Sequence, residues 1–148
     1  MSPSPQEQKL EVLKELVAIV SDADNAKAKR GKAKQALCKI GDERVVALLE
    51  ERARQSADET ILTDIVEILT ALSPAEEALV ALIRLVWHDW PQVRRQAIRA
   101  LGQKGDWRVA RLLEQVITAS ADPQSIFEEE DARLAEEACQ RIEARLGE

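Results

Sequence analysis

The chain has 148 residues, 45% of them hydrophobic, 32% charged and 3% aromatic, with a net charge of −6 at pH 7. That apolar content excludes disorder as the overall state, and five Gly and five Pro set against abundant Ala, Leu, Glu, Arg and Lys exclude a turn-rich β-sandwich. An all-α fold is expected, and the acidic balance weighs against a general nucleic-acid binder, which needs Lys and Arg in excess to hold phosphates.

Start signals predict eight helices. Ser4 with Glu7, and Pro5 in the first helical position, open a helix over about 5–20. The stretch Ser21 to Asp24 precedes one over about 24–40; Gly41 then closes it in the left-handed conformation and Asp42 caps a helix over about 43–55. Ser56 with Glu59 starts a helix over about 57–72, and Ser73 with Glu76, with Pro74 in first position, one over about 74–88. Asp89 with Gln92 opens about 90–104, after which Gly105 again suits a left-handed close and Asp106 an N-cap for about 107–120. Ser125 with Glu128 begins the last helix, about 126–146; residues 1–4 are read as a disordered lead-in to a single domain over 1–148.

These helices repeat. AKQALCKIGDERVVALLEE, from Ala33, aligns without gaps to AIRALGQKGDWRVARLLEQ, from Ala97, at an offset of 64; half that offset, 32, places Ile61, Ile65 and Leu69 on Val93, Ala97 and Leu101. Leu134, Ala138 and Ile142 keep the same spacing in a degenerate fourth copy, after a longer connection around Asp122 and Pro123. A two-helix unit of about 32 residues reads as an α-solenoid. Val93, Ala97, Ala100 and Leu101 form a core-facing stripe in which small Ala residues allow close helix approach. Leu37, Leu69, Leu101 and Ile142 take equivalent buried places on successive second helices.

Val93, Arg94, Ala97, Ala100, Leu101, Gly102, Gly105 and Asp106, followed by Ala110, Leu112 and Leu113, carry a resemblance to the short HEAT-like repeat of the phycobilisome-lyase type. The segment from Ala33 to Leu49 matches well and the other units loosely, so the resemblance covers about 24–146; Ser73-Pro74 replaces Gly-Asp in the middle unit and is read as an equivalent cap. It implies a right-handed superhelix of about four two-helix HEAT-like repeats whose second helices line a concave wall, with Arg95, Gln96, Arg99 and Gln103 facing outward on that wall. The repeat type occurs in bilin lyases, scaffold subunits and regulators, so it implies fold more narrowly than function.

Charge alternates along the chain: residues 24–40 carry +5, 41–89 carry −7, 90–111 carry +5 and 122–148 carry −6. At the 32-residue offset Lys32 would meet Asp64 and Glu67 would meet Arg99, a ladder of ion pairs fixing the stacking register; the alternative is a basic strip for an anionic partner. Trp87, Trp90 and Trp107 all fall at turns, as hot-spot contacts or as plugs between turns. The partner-binding candidates are therefore Lys32, Gln35, Asp64, Glu67, Trp87, Trp90, Arg95, Arg99 and Gln103.

His88, the single histidine, is expected in an exposed turn, and the FEEEDA run from Phe127 as an acidic first helical turn favoured by the helix dipole. Cys38 and Cys139 match no metal or redox spacing and are expected as buried reduced thiols. No Gly-rich phosphate loop, His-Glu pair or Ser-His or Cys-His arrangement is legible, so no catalytic, cofactor or metal residue is named and the chain is not expected to be an enzyme. MSPSPQEQKL lacks a basic stretch leading into an apolar one, and no window approaches the ~18 apolar residues of a membrane helix, so a cytoplasmic protein without a membrane partner is expected. The leading functional expectation is a small protein-binding scaffold or adaptor. The alternatives are a bilin lyase or chaperone, implied by the repeat type alone, and a nucleic-acid binder using Lys29, Lys32, Arg95 and Arg99.

Overall fold

The computed structural model describes residues 4–147, and these form eight helices with no strand among them. In chain order they are α1 (Pro5–Val20), α2 (Lys27–Ile40), α3 (Val45–Gln55), α4 (Glu59–Leu72), α5 (Glu76–Leu85), α6 (Pro91–Lys104), α7 (Trp107–Ala119) and α8 (Glu129–Leu146). None is long and apolar enough to cross a membrane.

Contacts divide the chain into two units, residues 1–72 and 73–148. In the first, α1 packs on α2 and α3 while α4 packs on α2 and α3, so each helix of one hairpin meets its counterpart in the next. Leu13, Val17, Leu37, Leu49, Ile65 and Leu69 fill the space between them, each at most 2% exposed. In the second unit α6 packs on α5, α7 and α8, and α7 on α8, around Leu82, Val93, Ala97, Leu101, Leu113 and Ile142. The four residues placed in equivalent positions by the repeat, Leu37, Leu69, Leu101 and Ile142, are all buried on α2, α4, α6 and α8.

Helix starts show where local chemistry was read correctly and where it was not. Ser4 caps α1, its Oγ accepting from the Glu7 amide at 3.2 Å, so Ser4 belongs to the fold; residues 1–3 of the proposed disordered lead-in lie outside the described residues. Asp106 caps α7 through the Arg108 and Val109 amides as expected. At α4, however, Asp58 accepts from the Thr60 and Ile61 amides, and Ser56 turns the chain one step earlier by accepting from the Asp58 amide. Asp58 wins because a carboxylate beside free helical N–H groups is the stronger acceptor.

The other predicted starts move too. The helix placed at Ser21 to Asp24 begins at Lys27, because an Asx turn at Asp22 bends the chain first. After Gly41, left-handed as expected (φ 64°), Asp42 accepts from the Arg44 amide and α3 begins only at Val45. Ala75 precedes α5, beyond a cis Ser73–Pro74 bond, so Pro74 is not in first helical position. Trp90, not Asp89, precedes α6, with Pro91 in first position. The last helix uses a capping box of Glu128 with Asp131 in place of Ser125 with Glu128.

Gly105 also departs from the expected left-handed close. Its backbone is extended (φ −76°), not left-handed, and glycine is required there by space: a Cβ would lie 2.5 Å from the Leu101 carbonyl oxygen. Gly102 plays the same part between helices, since a Cβ there would stand 2.8 Å from the Cβ of Ala138, which marks the close approach of α6 and α8.

Candidate functional site

The strongest polar cluster of the second unit is built where the α5–α6 turn, the start of α6 and the start of α8 meet. Arg94, on the first turn of α6, is 2% exposed. Its Nε and Nη2 donate to Asp131 Oδ2 at 3.2 and 3.0 Å, Nη2 also reaches Glu128 Oε1 at 3.1 Å, and Nη1 donates to the carbonyls of His88 and Asp89 at 3.1 and 3.0 Å. Asp131 is fully buried and accepts the Glu128 amide on Oδ2 and Arg95 Nε on Oδ1, at 2.9 and 3.0 Å. Every donor is thereby satisfied by a carboxylate or a carbonyl, which is the condition under which a buried charge pair is tolerated.

The consequence is a fixed turn. Residues 86–90 connect α5 to α6, and Arg94 holds the carbonyls of His88 and Asp89. His88 Nδ1 accepts the Trp90 amide at 3.0 Å, and the two rings meet edge to face at 5.5 Å. His88 is half-buried, not the exposed turn residue expected, and that burial pushes its pKa below 6.5. Trp87 packs edge-on against Phe127 at 5.9 Å yet stays 43% exposed.

The remaining candidates of this unit separate. Arg95 is three-quarters covered and committed to Asp131 and Glu128, so it is not a free cation on an open wall. Gln96 is half-buried with its Oε1 enclosed, against the outward position expected. Arg99 and Gln103 are exposed, and the Gln103 carbonyl accepts Arg145 Nη1 from α8. Trp107 stands 46% exposed at the start of α7.

In the first unit the ion pair predicted for Lys32 is made by Lys34. Lys34 Nζ lies 3.2 Å from Asp64 Oδ1 and 2.8 Å from Glu67 Oε2, and the Glu67 hydrogen bond raises its pKa. Glu67 is thus engaged within its own unit. The reason is helical geometry: Lys32 sits about 200° around α2 from Lys34, so only one of them can face α4. Lys32 and Gln35 are exposed on the other side. Cys38 and Cys139 are half-buried free thiols, both with pKa raised by burial. Among the described residues no group of three or more His, Cys, Asp and Glu side chains is placed to hold a metal.

Sequence reasoning missed Arg94, Asp131 and Lys34. The spacing of Glu128 with Asp131 was a signal, since it is that of a capping box with acids at both ends. Comparison with protein-family models and with curated proteins finds no match for the chain.

Proposed function

We propose that the chain is a non-catalytic, protein-binding scaffold built as a solenoid of four HEAT-like helix pairs, with the α5–α6 turn as its contact surface. The repeat geometry is supported by the packing of like helices on like in the first unit, by α6 on α8 in the second, and by the equivalent burial of Leu37, Leu69, Leu101 and Ile142. The observation that carries the functional reading is Trp87: a large aromatic side chain left 43% exposed on a turn that Arg94 and His88 hold rigid. A rigid, half-open aromatic is suited to anchor a partner, because little side-chain freedom is left to lose on binding.

The nucleic-acid reading keeps Lys29, Lys32 and Arg99 but loses Arg95 to Asp131 and Glu128. The scaffold reading is therefore preferred. Its test is affinity capture from the native cell extract, with quantitative comparison of wild type and Trp87→Ser. A partner retained by the wild type and lost with Trp87→Ser, at an unchanged melting temperature, supports the contact surface; identical retention by both proteins removes it.

A further inference from the structure

Inside each unit a basic second helix is stacked on an acidic one. Lys34 of α2 reaches Asp64 and Glu67 of α4, and Arg94 and Arg95 of α6 reach Glu128 and Asp131 at the start of α8. Each unit also has a second-helix face that carries a row of like charges away from that stacking: the side of α2 turned from α4 and the side of α8 turned from α6.

Their charges are opposite. On α2, Lys29, Lys32 and Lys39 are exposed and lie about 140–200° around the helix from Lys34, with Ile40 exposed beside them. No acidic residue occurs between Lys27 and Ile40 to neutralise them. On α8, Glu129, Glu136 and Glu143 are exposed at intervals of seven residues and lie about 140–200° around from Ala138, which touches Gly102 of α6. Arg133 also lies on the exposed side of α8, but Glu130 and Glu137 bind it.

From this complementarity we infer that the chain associates with a second copy of itself, the Lys29, Lys32 and Lys39 face of α2 in one copy docking on the Glu129, Glu136 and Glu143 face of α8 in the other. A second copy fits better than an unrelated acidic protein because the chain itself carries the matching acidic helix, and basic-on-acidic stacking of second helices is the contact each unit already makes. Such a contact joins two different surfaces, so it leaves one free face of each kind on the pair. It does not depend on Trp87, so failure of either reading leaves the other standing.

The test is sedimentation equilibrium on the full chain from about 10 µM to about 500 µM. Self-association should appear at about 20 mM salt and weaken at least about tenfold in Kd by about 300 mM, as screening shortens the reach of exposed charges. Reversing α2 (K29E, K32E, K39E) or α8 (E129K, E136K, E143K) should abolish it in each protein separately. All six changes in one chain should restore it, as should mixing the two triple variants, with helix content by circular dichroism unchanged throughout. A wild type that stays monomeric overturns the inference, including one that nevertheless binds an acidic peptide or an oligonucleotide. So does association that ignores the reversals, or a folded six-site variant that fails to regain it.

Discussion

The guanidinium of Arg94 and the carboxylate of Asp131 come from points 37 residues apart, and both are buried, with Arg94 Nη2 3.0 Å from Asp131 Oδ2. The same Asp131 oxygen accepts the Glu128 amide, and the same guanidinium holds the carbonyls of His88 and Asp89. One ion pair therefore closes the first turn of α8 and fixes the entry to α6. Removing Asp131 alone, as Asp131→Leu, should cost about 3–5 kcal/mol, because buried Arg94 loses its buried carboxylate partner and keeps only the exposed Glu128. Replacing both by Leu should cost clearly less than the sum of the single changes, and urea melts of the four proteins in the cycle measure the difference. Additive losses would mean that the pair is not coupled.

The first unit offers a milder ion pair. Lys34→Ala should lower stability by under about 1 kcal/mol, since Lys34 keeps a quarter of its side chain in water and Glu67 about half. Lys32→Ala should change it by less than about 0.5 kcal/mol. Denaturant midpoints showing the reverse order would put Lys32, not Lys34, against α4.

Two glycines inside helices should respond oppositely to the same change. Gly31→Ala meets nothing within 4 Å and should stabilise α2 by about 0.5–1 kcal/mol, the ordinary gain in helix propensity. Gly102→Ala adds a methyl group 2.8 Å from the Cβ of Ala138 and should cost about 1–3 kcal/mol, the overpacking exceeding that gain. Thermal melts that rise for both variants would show that α6 and α8 separate without penalty.

His88 should make the fold sensitive to mild acid. Burial lowers its folded pKa below the unfolded value near 6.5, so the unfolded chain takes up the proton more readily. The stability from neutral His88 is present above about pH 6.5 and is lost as the pH falls below that value. His88→Asn retains an acceptor for the Trp90 amide and cannot titrate, so its melting temperature should fall less than that of the wild type between about pH 7 and about pH 5. Parallel curves for the two proteins in that window would exclude the histidine.

By itself the sequence determined what short-range periodicity and caps encode: eight helices, the buried stripe through Leu37, Leu69, Leu101 and Ile142, and the starts at Ser4 and Asp106. Each depends on residues within about two turns of one another, where side-chain direction follows from helical geometry. Tertiary structure decided which charge meets which. Lys34 and Lys32 differ by half a turn around α2, and only the placement of α4 chooses between them. Arg94 follows Val93 in the repeat pattern and Asp131 lies in a run of acids, so neither is marked locally as buried; the longer connection before α8 brings them together. A charge is worth burying only when its counterion and the remaining hydrogen-bond partners arrive from elsewhere in the chain, and no local pattern records that arrival.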